Sequence, residues 1–173
     1  PMTNWHAEWQ SYFPITEKRF LCKPTQIKER IADIVLNDTT ILEIQHSKYE
    51  RTEIDNRKHD YNLHNINIIW LIDGNENINV NILHSSKRYF LEFQNDYWRY
   101  ENFKSYDYIY IDINSQIYKV NPNMVKSHMI DVEAPKQKID FIESIQKGID
   151  LWNNEEPHQC TLFIKQQGAG NGK

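Results

Sequence analysis

A chain of 173 residues suits one medium domain, or a domain with an appended segment. With 39% hydrophobic and 13% aromatic residues it can bury a core, which excludes wholesale disorder. The net charge of −4 excludes a uniformly basic surface of the kind that grips nucleic acid. Residues 131–156 carry seven acids against three bases, so the rest of the chain is neutral. Any DNA affinity therefore needs local patches or bound cations.

The longest apolar run, Ile68-Ile69-Trp70-Leu71-Ile72, is far too short to span a bilayer, and no membrane partner is expected. Residues 1–5 have neither a basic stretch nor an apolar one, so no secretion leader is expected. Pro1 ahead of Met2 reads as a remnant of a protease site. Cys22 and Cys160 are distant in sequence and form no CxxC or Cys/His spacing. A disulfide framework and a structural zinc are both disfavoured, and an intracellular setting is expected.

Taken in chain order, residues 4–13 predict a helix with Trp5, Trp9 and Phe13 as its apolar stripe and Thr3 or Asn4 as its cap. Residues 31–36 and 40–45 predict a β-hairpin around 37–39. Residues 48–64 are charged with helix-compatible spacing. Residues 66–72 suit a central strand buried on both faces. Alternating stretches at 78–83, 88–93, 108–113 and 116–120 predict an additional antiparallel β region. Pro122 and Pro135 suggest a boundary near 133–137, giving expected domains 1–134 and 135–173. A helix over 138–152 and a strand at 161–164 are expected beyond it.

The chemistry concentrates in the hairpin. A three-residue loop at 37–39 sets Leu36 opposite Thr40 and Asp33 opposite Glu43, with Cβ atoms about 5 Å apart. Gln45 then shares the Glu43 face, while Leu42 and Ile44 point to apolar packing. Two facing carboxylates need a shared proton or a cation between them. The Ile44 carbonyl is a third candidate oxygen ligand, and such hard donors suit Mg²⁺ or Mn²⁺. The bland alternative is that Asp33 is a strand-edge polar residue and Glu43 pairs with a surface lysine. The assignment hangs on register, since a one-residue slip separates the acids.

An Asp followed about ten residues later by Glu-x-Gln on the next strand resembles the PD-(D/E)XK nuclease fold, with Gln45 in place of the usual Lys. Closer still is the resemblance to the nuclease-like domain of competence protein CoiA. It rests on His6-Ala7-Glu8-Trp9, Ala32-Asp33-Ile34, Glu43-Ile44-Gln45-His46-Ser47, Arg57-Lys58-His59-Asp60-Tyr61 and Ile69-Trp70-Leu71-Ile72-Asp73, in that order over residues 5–73. Relatives often carry His just before Ala-Asp-Ile, where this chain has Arg30-Ile31.

The resemblance implies an α/β fold, a mixed central sheet flanked by helices in a restriction-endonuclease-like core. It also implies a metal-dependent phosphodiesterase acting on DNA, with Asp33 and Glu43 as metal ligands. Gln45 would stand where Lys orients water or steadies phosphate, with the metal, Arg57 or Lys58 supplying the missing charge. One of His6 and Glu8 is expected to complete the site, as ligand or proton carrier. Alternatively, His6 packs on Trp70. Arg57 and Tyr61, at i and i+4, form a candidate phosphate clamp with Lys58 nearby; a structural bridge from Arg57 to Glu53 is the alternative.

The ending Gln167-Gly168-Ala169-Gly170-Asn171-Gly172-Lys173 resembles a Walker A loop cut before its Ser or Thr, as in motif I of superfamily 1 helicases. A glycine-rich tail unrelated to phosphate is the alternative. The expectation is a nuclease domain preceding a helicase motor, with no ATPase activity of its own. The Ile- and Asn-rich usage of an AT-rich genome makes a large DNA virus or mobile element an expected source. Two competing readings are a non-catalytic nuclease-fold module that binds DNA, and a protein-interaction domain using the aromatic region 88–120.

Overall fold

The computed structural model describes residues 2–23, 26–47, 50–75, 80–85, 88–93, 106–126 and 129–152. Helix α1 (Asn4–Ser11) leads into β1 (Thr16–Lys23), β2 (Gln26–Asn37) and β3 (Thr40–Gln45). Helix α2 (Arg51–Asn62) follows, then β4 (Asn67–Asp73), β5 (Val80–Ser85), β6 (Arg88–Phe93) and β7 (Tyr108–Ile113). Strands β8 (Gln116–Lys126), β9 (Met129–Val132) and β10 (Lys136–Gln137) end at α3 (Lys138–Gln146). The strands join in the order β1-β2-β3-β4-β7-β8-β9-β6-β5, with β10 paired to β8. Only β3–β4 and β4–β7 pair in parallel among the described strands. The fold is α/β with a large mixed sheet, as expected.

The apolar pattern explains the layering. Along β4, Ile68, Trp70 and Ile72 face one side, where Ile54 and Tyr61 of α2 cover them together with Ile41. The alternate residues Ile69 and Leu71 face the other side and pack with Leu42, Ile44, Tyr110, Trp9 of α1 and Phe141 of α3. Helices on both faces make β4 a continuous apolar run. The β3–α2–β4 connection is the crossover that parallel pairing requires.

Several boundaries differ from the sequence reading, each for a local reason. Helix α1 stops at Ser11, and Thr3 is its cap, accepting from the His6 backbone N–H at 3.2 Å. The hairpin turns more tightly than expected: Asn37 pairs with Thr40, and a bulge at Leu36 absorbs the difference. Beyond that bulge Val35 meets Ile41 and Ile34 meets Leu42, the register the sequence reading assumed. Helix α3 ends at Gln146 because Gly148 takes a left-handed turn, φ +70°. There the Gly148 and Ile149 N–H groups donate back to the carbonyls of Ile145 and Ser144, at 3.2 and 2.8 Å.

Strand β1 was not anticipated, and β2 begins five residues earlier than expected. Both stretches are rich in Lys, Arg and Glu and lack clean alternation. Strands β9 and β10 were also missed. β10 and α3 follow the expected domain boundary yet join the same fold, with Lys136 paired to Ile117 and Phe141 in the core. The expected strand at 161–164 and the glycine-rich ending lie outside the described residues. Among the described residues, no helix is long and apolar enough to cross a membrane.

Candidate metal centre

The site begins where β2 and β3 part. Their ladder pairs Ile34 with Leu42, and one step further the same register sets Asp33 opposite Glu43. Asp33 Oδ2 accepts the Ile44 N–H at 2.7 Å, and its own carbonyl accepts from Gln10 of α1 at 3.2 Å. Ile44 thus contributes its N–H to Asp33, a contact the sequence reading did not foresee.

Glu43 is 1% exposed. Arg57 of α2 donates to its Oε2 at 2.8 Å, while Oε1 has no hydrogen-bond partner. Burial, with the adjacent Asp33 carboxylate, pushes the Glu43 carboxyl up to about 8, although Arg57 and Tyr61 oppose the rise. Asp33 is raised too, chiefly by desolvation, against the Ile44 N–H, His6 and Arg57. At neutral pH the pair therefore retains a proton unless a cation replaces it. The Tyr61 hydroxyl lies close enough to Glu43 to lower its pKa but makes no well-formed hydrogen bond. Burial and the Glu43 charge raise the pKa of Tyr61 itself.

Of the two α1 candidates, the fold brings His6 to the pair. Its Nε2 is 3.5 Å from Asp33 Oδ1 and has no hydrogen-bond partner. Glu8, two residues on and about 200° around the helix, is turned away. It accepts from Lys138 at 2.7 Å and from the Tyr12 hydroxyl at 3.0 Å, and Lys138 holds its carboxyl below the usual range. The expected role for Glu8 is accordingly not supported by its position. His6 is placed by its neighbours: the indole N–H groups of Trp5 and Trp9 both donate to Asp112 Oδ2 on β7, each at 3.0 Å.

Gln45 is 1% exposed on the Glu43 side of β3. The buried Tyr106 hydroxyl donates to its Oε1 at 2.7 Å, so its Nε2 donors remain, and these have no partner. Gln45 is thus oriented as a donor, as a Lys would be, but without charge.

The expected phosphate clamp is not what α2 builds. Tyr61 is fully buried in the seam with Ile54, because the helix turns that face onto the sheet. Arg57 bonds Glu53 at 3.1 Å in addition to Glu43, so the structural alternative for Arg57 is realised. Lys58 reaches Asp107 at 3.0 Å. Arg30 is buried and bridges Glu53 and Asp60, both at 2.7 Å, fixing α2 over β2.

One residue escaped the sequence reading altogether. Glu17 of β1 supplies an oxygen that, with one atom each from His6 and Asp33, forms a group within 4.8 Å of one another. No motif flags Glu17; only the β1–β2 pairing, which sets Thr16 against Ile34 and Lys18 against Ala32, reveals that it flanks Asp33.

These residues fit a divalent cation. The Glu17 and Asp33 carboxylates converge with His6, Glu43 Oε1 beside them is buried without a partner, and the like charges need compensation. The family model described as "Competence protein CoiA, nuclease-like domain" matches residues 10–139. The chain belongs to this family. The CoiA-type match runs from the end of α1 to the start of α3 and includes Asp33, Glu43 and Gln45, while His6 lies just ahead of it. No curated protein and no solved structure matches the chain significantly.

Proposed function

We propose that this CoiA-like domain is a Mg²⁺- or Mn²⁺-dependent deoxyribonuclease of the PD-(D/E)XK type. The observation that carries the proposal is the buried Asp33–Glu43 pair, with Glu43 raised to about 8 and one oxygen left without a partner. A pair so arranged is costly to keep ionised unless a cation joins it. Bound between Asp33 and Glu43, a divalent ion would polarise a phosphodiester and acidify a water for attack.

The chain's own groups divide the remaining work. Asp33 and Glu43 hold the ion, and the Ile44 N–H fixes the orientation of Asp33. Gln45 offers its amide N–H donors to water or a phosphate oxygen. His6 accepts or returns a proton at Nε2, or serves as a further ligand. Arg57, bonded to Glu43 in this structure, is near enough to offset phosphate charge once the ion takes over that carboxylate. The substrate is DNA in this proposal. The domain precedes a helicase motor in a longer intracellular nuclease–helicase of replication, recombination or repair, and the source is viral or a mobile element.

A second reading is a nuclease-fold module that binds DNA without cutting it and positions the helicase. The uncharged Gln45 and the net charge of −4 favour it. Plasmid or oligonucleotide cleavage in Mn²⁺, with wild type beside Glu43→Ala, separates the two. Cleavage lost on substitution supports the nuclease. Absence of wild-type cleavage supports the binding module, and cleavage unaffected by the substitution refutes the assigned site.

A further inference from the structure

We propose that Tyr106 is a positioning residue for cleavage: its hydroxyl holds the Gln45 amide so that Nε2 donates to a nonbridging oxygen of the scissile phosphate. This rests on the nuclease reading above and deepens it, by assigning Gln45 to the phosphate rather than to the attacking water.

The chemistry of the side chain decides between those two oxygens. A lysine can lose its proton and then accept one from water. An amide nitrogen only donates, so Gln45 cannot serve as the base. What a fixed neutral donor does best is stabilise charge that grows during the reaction. Such charge grows on the nonbridging oxygens as the water oxygen adds to phosphorus.

An amide donor works in only one of its two orientations. A flip exchanges Nε2 for Oε1 and sets an acceptor against an anionic oxygen. Lysine, whose donors are equivalent, needs no such control. Here the Tyr106 hydroxyl donates to Gln45 Oε1 at 2.7 Å. Gln45 is 1% exposed, and its Nε2 is buried without a hydrogen-bond partner. A buried donor left unpaired, on an amide whose acceptor end is taken, points to a ligand that accepts.

Tyr106 is held in turn by the face it crosses. Its ring, 2% exposed, meets Trp70 edge-on, with centroids 5.0 Å apart and planes at 82°. In the parallel β3–β4 ladder Trp70 lies beside Glu43, and Ile72 lies beside Gln45. The phenol therefore runs along the Glu43 face of β3 to reach the amide. The next residue, Asp107, bonds Lys58 of α2 at 3.0 Å, but its side chain is 58% exposed. A bridge so placed contributes little. The packing on Trp70 is the anchor, and the hydroxyl is the one atom that carries the orientation to Gln45.

Oligonucleotide cleavage by the 173-residue chain in Mn²⁺ tests this through a double-mutant cycle. Tyr106→Phe keeps the ring on Trp70, and is expected to lower kcat about tenfold with KM unchanged and circular dichroism intact. Gln45→Ala is expected to lower kcat about 100-fold. In that background, and in Gln45→Lys, Tyr106→Phe is expected to cost less than about twofold. Stereopure phosphorothioate oligonucleotides, all-Rp or all-Sp, identify the oxygen. Sulfur of one configuration is expected to slow wild type selectively, and Gln45→Ala is expected to lose that selectivity. A Tyr106→Phe enzyme with wild-type kcat, or a loss of the same size in both Gln45 backgrounds, overturns the role of Tyr106 while the nuclease reading stands. Selectivity against sulfur that is absent from wild type, or unchanged in Gln45→Ala, overturns the assignment to phosphate. Absence of wild-type cleavage overturns the nuclease reading and this inference together.

Discussion

Replacing Glu43 by Gln should stabilise the metal-free protein, and the gain should grow with pH. The carboxyl ionises near 4.5 in an exposed chain and at about 8 in the folded one. Between those values the folded state retains a proton that the unfolded state has released, so stability falls as pH rises. Below the unfolded value neither state is ionised and the cost vanishes; above the folded value it is complete. The two values give a cost of about 3 kcal/mol at pH 7 and about 5 kcal/mol above pH 9. Glu43→Gln removes that cost but also loses the charged partner of Arg57, worth about 1–3 kcal/mol as a charge-assisted hydrogen bond. The cost is about 4 kcal/mol at pH 8, so a net gain of about 1–3 kcal/mol is expected there, and none at pH 5. At about 2–4 °C per kcal/mol this is readable as a Tm difference. The assay is thermal and urea unfolding in EDTA at pH 5, 6, 7 and 8. A variant no more stable than wild type at pH 8, or a difference independent of pH, would refute the claim that the pair is uncompensated.

Adding Mn²⁺ to wild type at pH 8 should raise Tm, by RT ln(1 + [Mn²⁺]/Kd), or about 2.7 kcal/mol at one hundred times Kd; Glu43→Ala should lose most of that rise. Tyr106→Phe frees Gln45 Oε1 and should cost about 1 kcal/mol of stability in a urea titration. Its effect on cleavage should fall on kcat rather than KM, and it should disappear when Gln45 is replaced by Lys. Trp9→Ala removes a fully buried ring and one of the two indole donors to Asp112. It should destabilise by about 3–5 kcal/mol and weaken Mn²⁺ binding by loosening His6. Gly74→Ala would place a methyl 2.5 Å from Ile113 Cγ1 and 2.9 Å from the Asp112 carbonyl oxygen. A loss of about 1–3 kcal/mol is expected, measured by urea unfolding.

The parts of the account legible in sequence were those fixed by local alternation. Leu42 and Ile44 alternate with Glu43 and Gln45 on a short strand, so the acid's face could be assigned, whereas the hairpin register was an assumption resting on a three-residue loop that the structure does not have. The bulge at Leu36 changed the turn without moving Asp33 relative to Ile34–Leu42. The run Ile68–Ile72 reads as a strand covered on both sides because every residue in it is apolar. Contacts between elements distant in sequence were not legible. Glu17 reaches Asp33 through the ladder between β2 and β1, and β1 is a charged strand without clean apolar alternation. Asp112 is one acid in the apolar strand β7, and nothing in its neighbours signals that two indoles from α1 end on it. Helical spacing separates His6 from Glu8 but does not say which of them meets the sheet. Nor does the i, i+4 spacing of Arg57 and Tyr61 distinguish a phosphate clamp from a buried seam; that depends on how α2 rolls onto β4.

The most direct measurement is an anomalous difference map from crystals grown in Mn²⁺. The account predicts a peak about 2.0–2.3 Å from carboxylate oxygens of both Asp33 and Glu43. A saturated crystal with no density there, and Arg57 still seated on Glu43, would contradict it.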